Sequence, residues 1–383
     1  MGTAPKVSIL LPSLNARQFL ELRIDSLLAQ TFGNWEAIVL DSHSTDGSWE
    51  FFESIASVDS RFRLSQIPQN GLYAALNRGI ELATGEFLHI ATCDDTMASE
   101  FLAEMIGALT QCSDAGIAAC DLLFINQNDR ELLAKDMIGH LSRRAIKNLL
   151  RSGAVRTAFP AMEQRNINYR PAPHDCLLHF SGRSVYFSLT QLVVRTVLAK
   201  AAGPFDTTVG SVADFGWLLR LTNLTGSVHL PKKLATWRFH GDQLSIRRDA
   251  SRRTSIKMLC ERALPDIYQR HRSLLTPNDC TAILLSGQPI PATAVVQQVS
   301  AWIKAVLHFF RMFRERPAAT LWAVRRVRWE VLALRRSLLP MIFEKTGLGP
   351  REISASANLH SAMPEQLEPP RSGLETTYNT RDI

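Results

Sequence analysis

Residues 85–95 read GEFLHIATCDD, an apolar strand-like run that ends in two adjacent carboxylates, Asp94 and Asp95. A buried strand delivering paired acids to its C-terminal edge suits a divalent cation, because hard ions such as Mg²⁺ or Mn²⁺ prefer carboxylate oxygen. Asp also favours solvated turns and helix N-caps. The pair alone leaves these readings open, and the flanking sequence has to separate them.

Upstream, Lys6–Asn15 (KVSILLPSLN) is a continuous apolar run closed by Pro, Ser and Asn, the pattern of a buried parallel strand entering a loop. Over Ala16–Gln30, Phe19, Leu20, Ile24, Leu27 and Leu28 recur at helical spacing, and Trp35–Leu40 (WEAIVL) reads as a second strand. It runs into Asp41-Ser42-His43-Ser44-Thr45-Asp46-Gly47-Ser48, too rich in turn formers to be core. The unit is βαβ. Such units place ligands at the carboxyl ends of parallel strands, and Asn15, Asp41 and Asp94 each sit at or just past one such end.

These pieces, with others downstream, occur in an order that resembles family 2 glycosyltransferases, the inverting group with the A-type nucleotide-diphospho-sugar fold. They are SILLPSLN (8–15), EAIVLDSHSTDGS (36–48), NGLYAALNRGIELATGEFLHI (70–90), TCDD (92–95), GPFDTTVGSVADFGWLLRL (203–221) and RFHGDQLS (238–245). The resemblance covers roughly residues 5–248. It implies an α/β, Rossmann-like catalytic domain with a mostly parallel central sheet over 1–248, its donor half near 1–120 and its acceptor half near 121–248.

The resemblance also implies roles. Asp41 would accept hydrogen bonds from the nucleotide base, uracil being favoured over guanine or thymine, and Pro12, Ser13 and Asn15 would shape the base and ribose pocket. Gly71 would open a helix whose partly positive N-terminus favours phosphate, with Asn77 near the nucleotide. Asp94, with Asp95 as the alternative, would bind a Mn²⁺ or Mg²⁺ ion bridging the donor phosphates, and Arg238 and His240 would act beside it. His240 suits cation ligation or phosphate binding, and equally a surface histidine in a loop. Asp214 would be the base that deprotonates the acceptor hydroxyl; the alternative is a helix N-cap ahead of the apolar helix Phe215–Leu221.

Several positions depart from the family pattern. Ser42 and Thr92 stand where acids are common, Ala213 where many relatives carry Glu, and His43 where Gly is common. The donor site therefore carries less negative charge, which keeps a degenerate nucleotide-sugar-binding scaffold as an alternative, and a nucleotidyltransferase-like enzyme, with a related fold and carboxylate-bound metal, is another. His174, Asp175 and His179 fall in the acceptor half without metal-ligand spacing, which fits structural or acceptor-lining roles.

The 383-residue chain exceeds what one core usually supports, and its net charge of +7 calls for an electrostatic partner. Arg311, Arg314, Arg316, Arg325, Arg326, Arg328, Arg335 and Arg336 interleave with Trp302, Ile303, Val306, Phe310 and Phe313 in one segment and Leu321, Val324, Val327, Val331, Leu334 and Leu338 in the next, both at spacings of three and four. That pattern reads as C-terminal amphipathic helices, broken near Pro317, in a basic region over 249–345. They would either pack on the catalytic domain or make a peripheral contact with an anionic membrane through residues 295–340. No nucleic-acid motif accompanies the basic residues.

Six cysteines without close pairing, and no basic-then-apolar leader, lead to the expectation of a cytoplasmic protein, soluble or peripheral on the inner face of a membrane. Cys93 lies inside the cation loop, so its alkylation is expected to block donor binding. The polar, Pro-containing stretch 346–383 is expected to be disordered. The expected partners are a nucleotide-diphospho-sugar, UDP-linked by preference, and a saccharide or lipid-linked saccharide acceptor. The setting implied is assembly of a cell-surface polysaccharide.

Overall fold

The computed structural model describes residues 6–132, 167–180, 186–240, 252–276, 279, 341–349 and 351–352. A single nine-stranded sheet organises them, in the order β3-β2-β1-β4-β7-β5-β8-β6-β9. Strands β1 (Val7–Ser13), β2 (Trp35–Asp41), β3 (Phe62–Gln66) and β4 (Phe87–Ile90) are mutually parallel. Strand β7 (Leu192–Arg195) is antiparallel to β4 and to β5 (Ala115–Asn126), and β5 is parallel to β8 (Gly226–Phe239). Strands β6 (Asn168–Arg170) and β9 (Arg351–Glu352) finish the edge in antiparallel pairs. The sheet is thus mostly parallel.

Every residue of β1 and β2 is buried, as continuous apolar strands require when helices cover both faces. Val7, Ile9 and Leu11 face a core formed with Leu20, Ile24 and Leu27 of α1 (Arg17–Leu28), Phe52 of α2 (Ser48–Val58) and Phe101 and Met105 of α4 (Phe101–Gln111). Leu10, Ile38 and Leu40 face the opposite core, with Leu76 and Ile80 of α3 (Leu72–Leu82). Gly85 lets β4 enter beside β1, since a Cβ there would lie 2.6 Å from the Ser8 amide nitrogen.

The second core also takes in Trp217 and Leu221 of α7 (Ala213–Leu224), Leu259 and Ile267 of α8 (Arg252–His271), and Ile342, Phe343 and Leu348. Between them in sequence come α5 (His174–Phe180) and α6 (Thr196–Ala201). The hydrophobic core therefore continues past residue 248, and β9 adds an edge strand within the stretch where a polar tail is expected. The proposed membrane-contact segment 295–340, its break at Pro317 and nearly all of the expected tail lie outside the described residues. Among the described residues, no helix is long and apolar enough to cross a membrane.

Candidate active site

The strand order reverses at β1: the chain steps outward to β2 and β3, then returns to place β4 on the other side. That switch point opens a crevice at the carboxyl ends of β1, β2 and β4. From β4 the chain does not turn back at once. Thr96 and Ala98 pair with the backbone of β8 through Thr236 N to Thr96 O (2.9 Å) and Ala98 N to Leu234 O (2.8 Å). This crossing carries Asp94 and Asp95 to the end of β8, where Arg238 and His240 emerge.

The four side chains meet there but differ in role. His240 Nε2 lies 3.0 Å from Asp94 Oδ2, and the Asp94 side chain keeps a quarter of its surface open. Burial would raise the Asp94 carboxyl, but the hydrogen bond and charge of His240 outweigh it and hold it below the usual range. Asp95 is 2% exposed and turned inward; Oδ1 accepts from the Arg238 amide (2.8 Å) and Oδ2 from the Thr92 hydroxyl (2.8 Å). Burial and the neighbouring Asp94 charge push the Asp95 carboxyl up to about 7. The geometry thus separates the paired acids into one facing the crevice and one bracing the loop.

Arg238, expected beside the donor, is held within the protein. Its guanidinium is buried and bonded to Asp94 O (2.6 Å), Asn126 O (3.1 Å) and Asp129 Oδ1 (2.6 Å), so it braces the loop that carries Asp94 and Asp95. Two residues of α1 to which the sequence assigned no role in the site also pack against this cluster. Arg23, fully buried on the apolar face of α1, donates from Nε to Thr92 O (2.8 Å). Phe19 sets its ring 5.2 Å from that of His240. A charge among Leu20, Ile24 and Leu27 is a legible signal, because an arginine on a helix's core face needs a buried partner.

A second cluster forms around β1 and β2. Asn15 Oδ1 accepts from Thr45 N (2.8 Å), and Asp41 accepts from Ser44 N (2.9 Å) and the Ser44 hydroxyl (2.6 Å). Ser42 N donates to Ser13 O (2.8 Å). Asp41 is fully buried. Asn15 and His43 both hold left-handed backbone, at φ 50 and 53. The second accounts for a glycine being common at that position, since left-handed backbone costs a side-chain-bearing residue about 1–2 kcal/mol.

The third cluster lies at α3 and α7. Gly71, at φ 87, precedes α3 and leaves its first-turn amides without a side-chain cap. Asn77 lies in the second turn, and both ends of its amide are spent on Phe205, 2.7 Å to its N and 3.0 Å to its O. These bonds tie Asn77 to the loop before α7. Asp214 falls in the first turn of α7, which starts two residues before the apolar run Phe215–Leu221, with Oδ1 accepting from Phe215 N (2.7 Å). Pro12 links the clusters, its carbonyl 3.2 Å from Cys93 Sγ.

That contact reverses the expectation for Cys93. Burial pushes its thiol up to about 12, and iodoacetamide at pH 8 should label it about 10³-fold more slowly than a free cysteine. Peptide mass mapping of the native protein checks this; rapid Cys93 labelling would contradict the buried geometry. His174, Asp175 and His179 are likewise interior, at 0%, 4% and 0% exposure, and line no open surface.

Asp94 and His240 offer one carboxylate oxygen and one imidazole nitrogen. Among the described residues, no group of three or more His, Cys, Asp or Glu could hold a metal ion. Such a pair fits a cation of the Mg²⁺ or Mn²⁺ type, which keeps few protein ligands and completes its shell with water and substrate phosphates.

The family model "Glycosyl transferase family 2" matches residues 8–167. A Bacillus subtilis glycosyltransferase named for teichuronic acid biosynthesis, TuaG, is 30% identical over 112 residues, 29% of this chain and 44% of that protein. A Mycobacterium bovis PGL/p-HBAD biosynthesis glycosyltransferase is 30% identical over 129 residues, 33% of this chain and 50% of that protein. The chain thus spans about half the length of the curated relatives it matches. Among solved structures, S. aureus TarS 1-349 in complex with UDP-GlcNAc superposes with a TM-score of 0.53 at 17% identity, covering 90% of this chain and 92% of that one. This likeness in fold extends beyond the matched segment, and residues 8–167 of the chain match the glycosyl transferase family 2 model.

Proposed function

We propose that this protein transfers a sugar, with inversion, from a nucleotide diphosphate donor to a saccharide or lipid-linked saccharide in cell-surface polysaccharide assembly. The observation that carries the reading is the Asp94–His240 pair at the switch-point crevice. The chemistry is a single displacement. The acceptor hydroxyl gives its proton to the Asp214 carboxylate as its oxygen bonds to the anomeric carbon, and the bond from that carbon to the β-phosphate oxygen breaks with its electron pair. A cation held by Asp94 and His240 would stabilise charge on the departing diphosphate. Asp41, Ser13 and Asn15 would receive the base and ribose, and the open first turn of α3 would receive phosphate. Uridine is favoured because TarS, which shares the fold, was solved with UDP-GlcNAc. The polysaccharide setting draws on the TuaG relative, and a peripheral contact with the cytoplasmic face of a membrane draws on the basic amphipathic pattern over 295–340.

Calorimetric titration with UDP and UDP-GlcNAc, with Mn²⁺, Mg²⁺ or chelator, tests this. Binding should require the cation, and Asp94→Ala should weaken it at least about 10-fold, as loss of a metal-orienting group typically does. Binding unaffected by chelator and by Asp94→Ala would remove the cation from the site.

A further inference from the structure

The segment 202–212 leading into Asp214 is held from both sides. From α7, Arg220 donates to Ala202 O (2.6 Å) and to Pro204 O. From α3, Asn77 makes the reciprocal pair with the Phe205 backbone, occupying its N–H and its carbonyl at once. The Phe205 ring stacks between Tyr73 of α3 (5.5 Å) and Trp217 of α7 (4.8 Å), and Tyr73 Oη donates to Ser211 O (3.4 Å). Gly210, at φ 63 and ψ −136, then bends the chain into the helix that bears Asp214. The helix that opens at the donor end of the crevice therefore sets the register of the segment presenting Asp214.

We infer that Asn77 is a positioning residue for Asp214, locking the acid-bearing segment to the donor helix through the Phe205 backbone. The inference rests on the reading of Asp214 as the base. An amide that satisfies both backbone groups of one residue fixes its translation and its orientation together, which one hydrogen bond or an apolar contact cannot do. Displacing a reacting group by about 1 Å can cost about 100-fold in rate. Because the bonds Asn77 makes run to the Phe205 backbone, its removal should act on turnover and not on nucleotide affinity.

The test follows release of UDP from UDP-GlcNAc with Mn²⁺, water serving as acceptor, beside calorimetric affinity for UDP with Mn²⁺. Asn77→Ala should keep the UDP dissociation constant within about twofold and lower kcat about 10- to 100-fold. Ile80→Val, on the same helix and packed in its core, should keep kcat within about twofold and so controls for general loosening of α3. The variant pair Asp214→Asn and Asn77→Ala should be strongly non-additive, the double variant turning over no more slowly than Asp214→Asn alone, as for groups that act as a unit. Unchanged kcat in Asn77→Ala, or UDP affinity falling in parallel with kcat, overturns the inference. Full turnover in Asp214→Asn, or no UDP release from the native protein, defeats the underlying reading instead. If Asn77→Ala fails to fold, Asn77→Asp, which keeps the acceptor for Phe205 N–H and loses the donor, carries the same expectations.

Discussion

Asp214→Asn is expected to lower turnover about 10²–10⁴-fold, the range typical of general-base catalysis, while leaving donor affinity unchanged. The substitution is informative because of where Asp214 sits. Its Oδ1 accepts from the Phe215 amide in the first turn of α7, and an asparagine keeps that oxygen, that bond and nearly the same shape. What it loses is the negative charge and the capacity to take a proton. The helix N-terminus favours a carboxylate here by about 0.3–1 kcal/mol, so the variant should fold with only a small loss of stability. Steady-state rates of UDP release, set beside calorimetric donor binding, make the check. A fall in both would place Asp214 in donor binding, and a fall in neither would leave it only the role of a first-turn acid that favours the helix N-terminus.

The elements around this acid differ in how openly the sequence displays them, for physical reasons. Strands β1, β2 and β4 are legible because each is an apolar run buried on both faces and cut off by polar turn formers, so burial and chain reversal leave local marks. Strands β6, β7 and β9 are four residues or fewer and owe their existence to partners far away in the chain, which no local pattern records. The same holds for the site. Asp94, Asp214 and His240 stand at element ends, where a polar residue after an apolar run is conspicuous. The inward turn of Asp95, the burial of Arg238 and the commitment of Asn77 to Phe205 depend on contacts more than 100 residues away in sequence. Arg23 is the exception that was available, since a charge on the core face of an amphipathic helix announces a buried partner before the partner is known.

Asp175→Ala is expected to destabilise the fold by about 3–5 kcal/mol, the cost of breaking a buried ion pair by removing one partner. Asp175 lies on α5, every residue of which is buried, and pairs at 3.0 Å with Arg170 of β6, itself interior. Its carboxylate also accepts from the Tyr186 hydroxyl and the Ser227 hydroxyl of β8, and His174 Nδ1 lies 2.9 Å away. Without the anion, the guanidinium stays desolvated and keeps a hydrogen bond to Ser227 (3.2 Å), which does not neutralise it. The loss should reach the C-terminal segment, because the His174 ring stacks on Phe343 at 4.4 Å. Acid supplies an independent check. Burial would raise the Asp175 carboxyl, but the Arg170 charge and the hydrogen bonds around it hold it well below the usual carboxylate range. A group whose folded value is depressed stabilises the fold above its unfolded value, about 3.9 for Asp, and loses that contribution as pH falls below it. Denaturant melts should therefore show the full gap between native protein and Asp175→Ala at pH 7 and a narrowing gap below about pH 4. A gap under about 1 kcal/mol at pH 7, no more than an exposed ion pair contributes, would mean that desolvation of the two charges cancels their attraction. The network would then owe its place to orienting β6, α5 and β8 rather than to stability.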